Sequence, residues 1–301
     1  MNPSILRRVA VIAGIAVVSS IATAGEYRFE SADVLDVSIY DPLAPLLKTT
    51  IAPTTVDQKV AKEIVAEPEV SNEAPGQLSM IDGSDKAARK LEHKQLAAES
   101  SIVQRNGKAL TIKTTSGHDV EFRDRPPPKR SDADADGELF VYAGRVGAAR
   151  YHRVEGRFQH DAPGSYLVAP ADDKIVFVPN GSYVEQISPD GKWLLSMSPG
   201  DTHVLLAVIG LDADAPKVAL VCRGGDAKYA GPGMFKGWRD GSSFDVVLNP
   251  LVLAPGKPGQ GAATVIPTDP IPLRFTLDGK NWQPSTPDPK ALSELGYVCK
   301  R

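Results

Sequence analysis

The stretch Ile187-Ser-Pro-Asp-Gly-Lys-Trp-Leu-Leu-Ser-Met-Ser-Pro199 constrains the fold more than any other. Pro189 presets φ near about −65° and Gly191 accepts a positive φ, so Pro189-Asp-Gly191 reads as a tight turn. Residues 193–197 then read as a mostly apolar strand, closed by Pro199-Gly200. The same rhythm runs through the second half of the chain. Residues 110–114 and 120–122 flank a Ser116-Gly117 hairpin. Further strands are predicted over 139–142, 166–168, 174–178, 183–187, 204–209, 218–222, 244–248 and 273–277. Many short strands without long strand–helix alternation predict an all-β domain over 101–301. Its antiparallel strands would form a propeller-like array or a sandwich. A Rossmann-type α/β domain is not expected from the same pattern.

A weak repeat runs through these turns. Asp190-Gly191-Lys-Trp193 is echoed by Asp240-Gly241-Ser-Ser-Phe244, Asp278-Gly279-Lys-Asn-Trp282 and Asp136-Gly137-Glu-Leu-Phe140. The four glycines are 54, 50 and 38 residues apart. Four-stranded propeller blades repeat at about 40–50 residues. Asp-Gly also serves any β-hairpin, so the sandwich stays open as an alternative. Residues 187–196 resemble the TolB-type propeller repeat, whose core is Ser-Pro-Asp-Gly-Lys followed by an apolar strand. The wider run resembles uncharacterised exported bacterial proteins with one β domain. It includes Asn106-Gly-Lys-Ala-Leu-Thr-Ile-Lys113, Asp136-Gly-Glu138 and Gly164-Ser-Tyr-Leu-Val168, and spans about residues 105–245. The resemblance implies a protein-binding propeller in the cell envelope rather than an enzyme.

The N-terminus carries targeting information. Arg7 and Arg8 precede an apolar run, and Ala22-Thr-Ala24 has the spacing of a cleavage site. The uncharged run over 9–24 is 16 residues long and includes Ser19, Ser20 and Thr23. A spanning helix needs about 20 predominantly apolar residues. Residues 1–24 are therefore expected to be a signal peptide, with mature protein starting at Gly25 in the periplasm or medium. No membrane span is expected after cleavage. Residues 34–40 suggest a strand. Residues 25–100 otherwise read as a flexible leader with two marginal helices. Thr55-x-x-Gln58 is a capping box ahead of Val56, Val60 and Ile64, and Ser84 would cap a helix carrying Ala87, Ala88, Leu91 and Leu96.

Removing the leader takes away two Arg and no acid, so the formal charge moves from −3 to −5. That disfavours a general nucleic-acid binder, which needs a basic surface. The chain has two cysteines, Cys222 and Cys299, and export would place them where a disulfide forms. Asp132-Ala-Asp134-Ala-Asp136-Gly137 matches the first six positions of a calcium loop. Position nine is Phe140, however, and position twelve is Ala143 instead of a bidentate Glu. A solvated acidic loop that binds Ca2+ weakly or not at all is expected, and no other cofactor.

Five histidines are present, His93, His118, His152, His160 and His203, with no i, i+4 metal pair among them. His152 and His160-Asp161 are the material for the alternative function, a periplasmic hydrolase acting on glycan or ester. No nucleophile motif accompanies them. Ser165 in Pro163-Gly-Ser-Tyr166 reads as a turn residue, and Gly256-Lys-Pro-Gly-Gln-Gly261 as a loop without a phosphate-binding ending. Trp193, Trp238 and Trp282 read as sheet or core packing rather than a ligand platform. The expected function is therefore non-catalytic binding of another envelope protein.

Overall fold

The computed structural model describes residues 26–29, 49–69, 78, 85–115, 117, 119–125, 138–147, 150–158, 164–171, 175–179, 184–199, 204–212, 216–224, 229–230, 233–254 and 264–301. The expected signal peptide over 1–24, the strand over 34–40, Ser84, the Asp132–Asp136 loop and the loop over 256–261 lie outside these residues.

The fold is mostly β, and among the described residues it is built from several antiparallel sheets with no closed barrel. First come β1 (Glu26–Phe29), β2 (Thr50–Ile51), β3 (Thr54–Thr55), α1 (Gln58–Ala66) and α2 (Asp85–Ala98). Four meanders follow. The first sheet holds β4 (Val103–Asn106), β5 (Ala109–Lys113) and β6 (Asp119–Arg123), with β1 added parallel to β6. The second holds β7 (Glu138–Val146), β8 (Tyr151–Phe158), β9 (Gly164–Val168) and β10 (Ile175–Pro179). The third holds β11 (Val184–Ile187), β12 (Trp193–Pro199), β13 (Val204–Gly210) and β14 (Lys217–Gly224). After β15 (Tyr229–Ala230) come β16 (Gly233–Asp240), β17 (Ser243–Leu248), β18 (Leu251–Ala254), β19 (Thr264–Pro267), β20 (Ile271–Asp278) and β21 (Asn281–Thr286). Of these, β16, β17, β20 and β21 form the fourth sheet, while β15, β18 and β19 make a small one of their own. Finally α3 (Pro289–Glu294) leads to β22 (Val298–Lys300), which joins β14 and is itself flanked by β2. The strand β3 runs parallel to β21.

The four sheets stack face to face in chain order. Leu110, Ile112 and Phe122 of the first pack on Phe140, Val154 and Tyr166 of the second. Tyr151 and Leu167 of the second pack on Leu194, Ile209 and Val221 of the third. Leu195, Leu206 and Leu220 of the third pack on Phe235, Phe244, Phe275 and Trp282 of the fourth. Strand side chains alternate between faces, so Leu194 points one way and Leu195 the other. The two inner sheets are thus covered on both sides, and each layer is lined mainly by Leu, Val, Ile and aromatic side chains.

The segment expected as a leader supplies β1, β2, β3, α1 and α2. The α1 cap is Asp57, not Thr55: its side chain accepts from Lys59 N at 2.6 Å, and the helix starts at Gln58. Ala61 and Ile64 are buried, and α1 packs on β17 and β20. Much of the seating is polar. Arg239 meets Glu67 at 2.5 Å, and Lys236 donates to the Glu67 carbonyl. A composition poor in bulky apolar residues concealed this docking.

Cys222 and Cys299 are bridged, facing each other across β14 and β22 with Cα atoms 4.0 Å apart. The expected disulfide is therefore present, and it ties the C-terminal strand into the third sheet.

Candidate binding surface

Three Asp-Gly turns from the sequence repeat meet at one end of the third and fourth sheets. The first joins β11 to β12. Ser188 Oγ donates to Asp190 Oδ1 at 2.6 Å, Trp193 N donates to Ser188 Oγ at 3.0 Å, and Gly191 takes φ 73°. The second joins β16 to β17. Asp240 Oδ1 accepts from Ser242 N at 2.6 Å and Ser242 Oγ at 2.8 Å, and these bonds hold its carboxyl below the usual carboxylate range. The third joins β20 to β21 with Gly279 at φ 62°.

The turns also hold one another. A Cβ on Gly241 would stand 2.6 Å from Asp190 Cγ, so the second turn lies directly against the first and a larger residue there would displace the Asp190 side chain. Leu277 N donates to Ser242 O at 2.7 Å, which links the third turn to the second. Beneath them lie the three tryptophans. Trp282 is fully buried and meets Trp193 edge-on at 5.4 Å and Trp238 at 5.9 Å. Trp193 and Trp238 are half-buried, while Asp190, Lys192, Asp240, Ser242, Asp278 and Lys280 are exposed above. Rigid, exposed turns on an aromatic floor suit contact with another surface.

The spacing of the repeat now has a structural meaning. Gly191 and Gly241 occupy equivalent first-hairpin turns of successive sheets, whereas Gly279 lies in the last hairpin of the same sheet as Gly241. The fourth copy at Gly137 lies outside the described residues.

The histidines divide differently. His93 is exposed on α2, and His118, His160 and His203 lie outside the described residues. His152 is buried on β8, with Nδ1 3.0 Å from Tyr142 Oη. Near it, Arg145 donates to both Glu99 carboxylate oxygens, at 2.9 and 3.0 Å. Burial, and then the Arg145 guanidinium, push His152 down to about 4. The imidazole is therefore neutral at pH 7. Ser165 is not a turn residue: β9 begins at Gly164, and Ser165 is buried where its Oγ accepts from Arg153 Nε at 3.2 Å. Buried carboxylates on other sheets are bonded to guanidinium groups, as Glu185 is to Arg153 and Asp245 to Arg239 and Arg274. Among the described residues, no group of three or more His, Cys, Asp and Glu side chains is arranged to hold a metal ion. Phe140 and Ala143, positions nine and twelve of the calcium-loop pattern, lie in β7.

His152 sets a pH dependence. In the unfolded chain it takes a proton below about 6.5, but in the fold only below about 4. The unfolded state thus binds more protons in that window, so this contribution to stability falls as pH drops through it, by about 3 kcal/mol in all. Urea titrations between pH 7 and 4 should show this slope, and His152→Gln should remove it.

The sequence matches no known family profile, no curated protein and no solved structure.

Proposed function

We propose that this is an exported, non-catalytic protein of the cell envelope that binds another protein through the end where the three Asp-Gly turns meet. The observation that carries the reading is the convergence of those turns over Trp193, Trp238 and Trp282. Turns fixed by their own side chains lose little conformational entropy on binding. The Ser188-Pro-Asp-Gly-Lys192 sequence, which resembles the TolB-type repeat, forms the first of them. Four meanders stacked in chain order follow the logic of propeller blades, and the propeller-like reading rests on that order. The export reading rests on the N-terminal leader and on the disulfide, which needs an oxidising compartment. No helix among the described residues is long and apolar enough to cross a membrane.

The test is a surface variant, Lys192→Glu with Ser242→Arg. Both positions are exposed, so the melting temperature should stay within a degree or two of wild type. Affinity for the protein crosslinked to wild type in intact cells should fall at least about tenfold, the equivalent of about 1.4 kcal/mol. Ester or glycoside turnover that vanishes in a folded His152→Ala variant would replace this reading with a hydrolase.

A further inference from the structure

The end where the three Asp-Gly turns meet does not stop at the third sheet. Leu211 follows β13, and its N–H donates to the Lys192 carbonyl at 2.6 Å, inside the first turn. Its side chain meets the second sheet. A Cβ on Gly147 would stand 2.8 Å from Leu211 Cβ, and Leu211 shares a core cluster with Val146 and Tyr151. Gly147 and Arg150 frame the β7–β8 turn, where Arg150 N donates to Gly147 O at 3.1 Å. This turn therefore lies beside the first Asp-Gly turn, joined to it through one buried leucine.

Arg150 combines two features. Its φ is 56°, and among the described residues it is the one non-glycine residue in the left-handed region. An L side chain meets steric resistance there that glycine avoids. Its guanidinium is also uncommitted. The side chain is 69% exposed, with Nη2 3.7 Å from Glu99 Oε1, beyond hydrogen-bond reach. Glu99 is already held by Arg145 through both oxygens. On the neighbouring turns, Asp190 and Asp240 accept from their own Ser188 and Ser242. Strained backbone beneath a free, exposed charged group points to function rather than to folding. We infer that the binding surface continues across Leu211 onto the second sheet, and that Arg150 grips a carboxylate on the protein partner. The inference rests on the binding function proposed above. A guanidinium fits a carboxylate through two parallel hydrogen bonds. The backbone that carries it is held in place, since Arg145 Nη1 donates to the Arg150 carbonyl at 3.3 Å.

The test uses the full chain in intact cells, with a photocrosslinker at Lys280 as the reporter of binding. Lys280 is exposed on the third turn, so Arg150 can be changed without altering the probe. Arg150→Gly relieves the backbone and removes the guanidinium. It should melt about 2 °C above wild type, while the yield of the crosslinked protein falls at least about fivefold. Arg150→Gln keeps a side chain on the same backbone without the charge, and should lose the product to the same degree. Undiminished yield from either folded variant would overturn the inference. So would a melting temperature for Arg150→Gly clearly below wild type, because Arg150 would then serve the fold. The Lys192→Glu with Ser242→Arg variant separates this failure from failure of the binding function itself. If that variant loses the product while Arg150→Gly keeps it, binding at the turns stands and its extension to Arg150 falls. If wild type yields no product, both fall.

Discussion

The double variant Cys222→Ser with Cys299→Ser is expected to lose about 4.5 kcal/mol of stability. That figure follows from the chain entropy released when a loop spanning a separation of 77 residues is no longer closed. Local structure adds a reason to expect a large effect. The strand β22 has three residues, Cys299 is buried while Val298 is exposed, and β2 is held only through β22 within this sheet. Without the bridge the C-terminal strand frays, and β2 frays with it. Urea unfolding of the oxidised protein and the variant should therefore give midpoints separated by that energy. Amides of residues 49–51 and 298–300 should exchange first in the variant. Coincident midpoints would mean that the third sheet holds its edge without the bridge.

Trp282→Ala is the largest expected effect of a single core truncation, about 3–5 kcal/mol. The ring is fully buried and touches Trp193, Trp238 and Phe244, with centroids 5.4, 5.9 and 5.3 Å away. Its removal leaves a cavity between the third and fourth sheets, directly under the turns. Near-UV circular dichroism should change along with the unfolding midpoint, because Trp193 and Trp238 lose a shared neighbour. Partner binding should weaken too, through loss of the floor rather than loss of a contact. A variant of normal stability would place Trp282 outside the core.

Much of the fold was legible because apolar strands announce themselves. The strands predicted from apolar runs between residues 110 and 277, including β12 and β13, coincide with strands in the structure. The strand β8 was missed because its sequence, Tyr151-His-Arg-Val-Glu-Gly-Arg-Phe158, carries charge at positions that are buried. Arg153 lies between two sheets and bridges Glu155 at 2.9 Å and Glu185 at 2.6 Å, and no sequence pattern reveals that Glu185, 32 residues away, will satisfy it. The strand β16 was hidden by its charged residues Lys236 and Arg239, which both bind Glu67 at the C-terminal end of α1. Among the site residues, the Asp-Gly turns and the tryptophans stood out one by one. Their convergence did not, because it depends on two sheets packing with Asp190 against Gly241.

The most direct test of the binding account is site-specific photocrosslinking in intact cells. The crosslinker would be placed at Lys192, Ser242 or Lys280 on the turns, and at Lys108 in the β4–β5 hairpin of the first sheet as a control; all four residues are exposed. The account predicts one shared protein product from the three turn positions and none of it from Lys108. Equal labelling from all four positions, or no product from the turns in folded and exported protein, would contradict it.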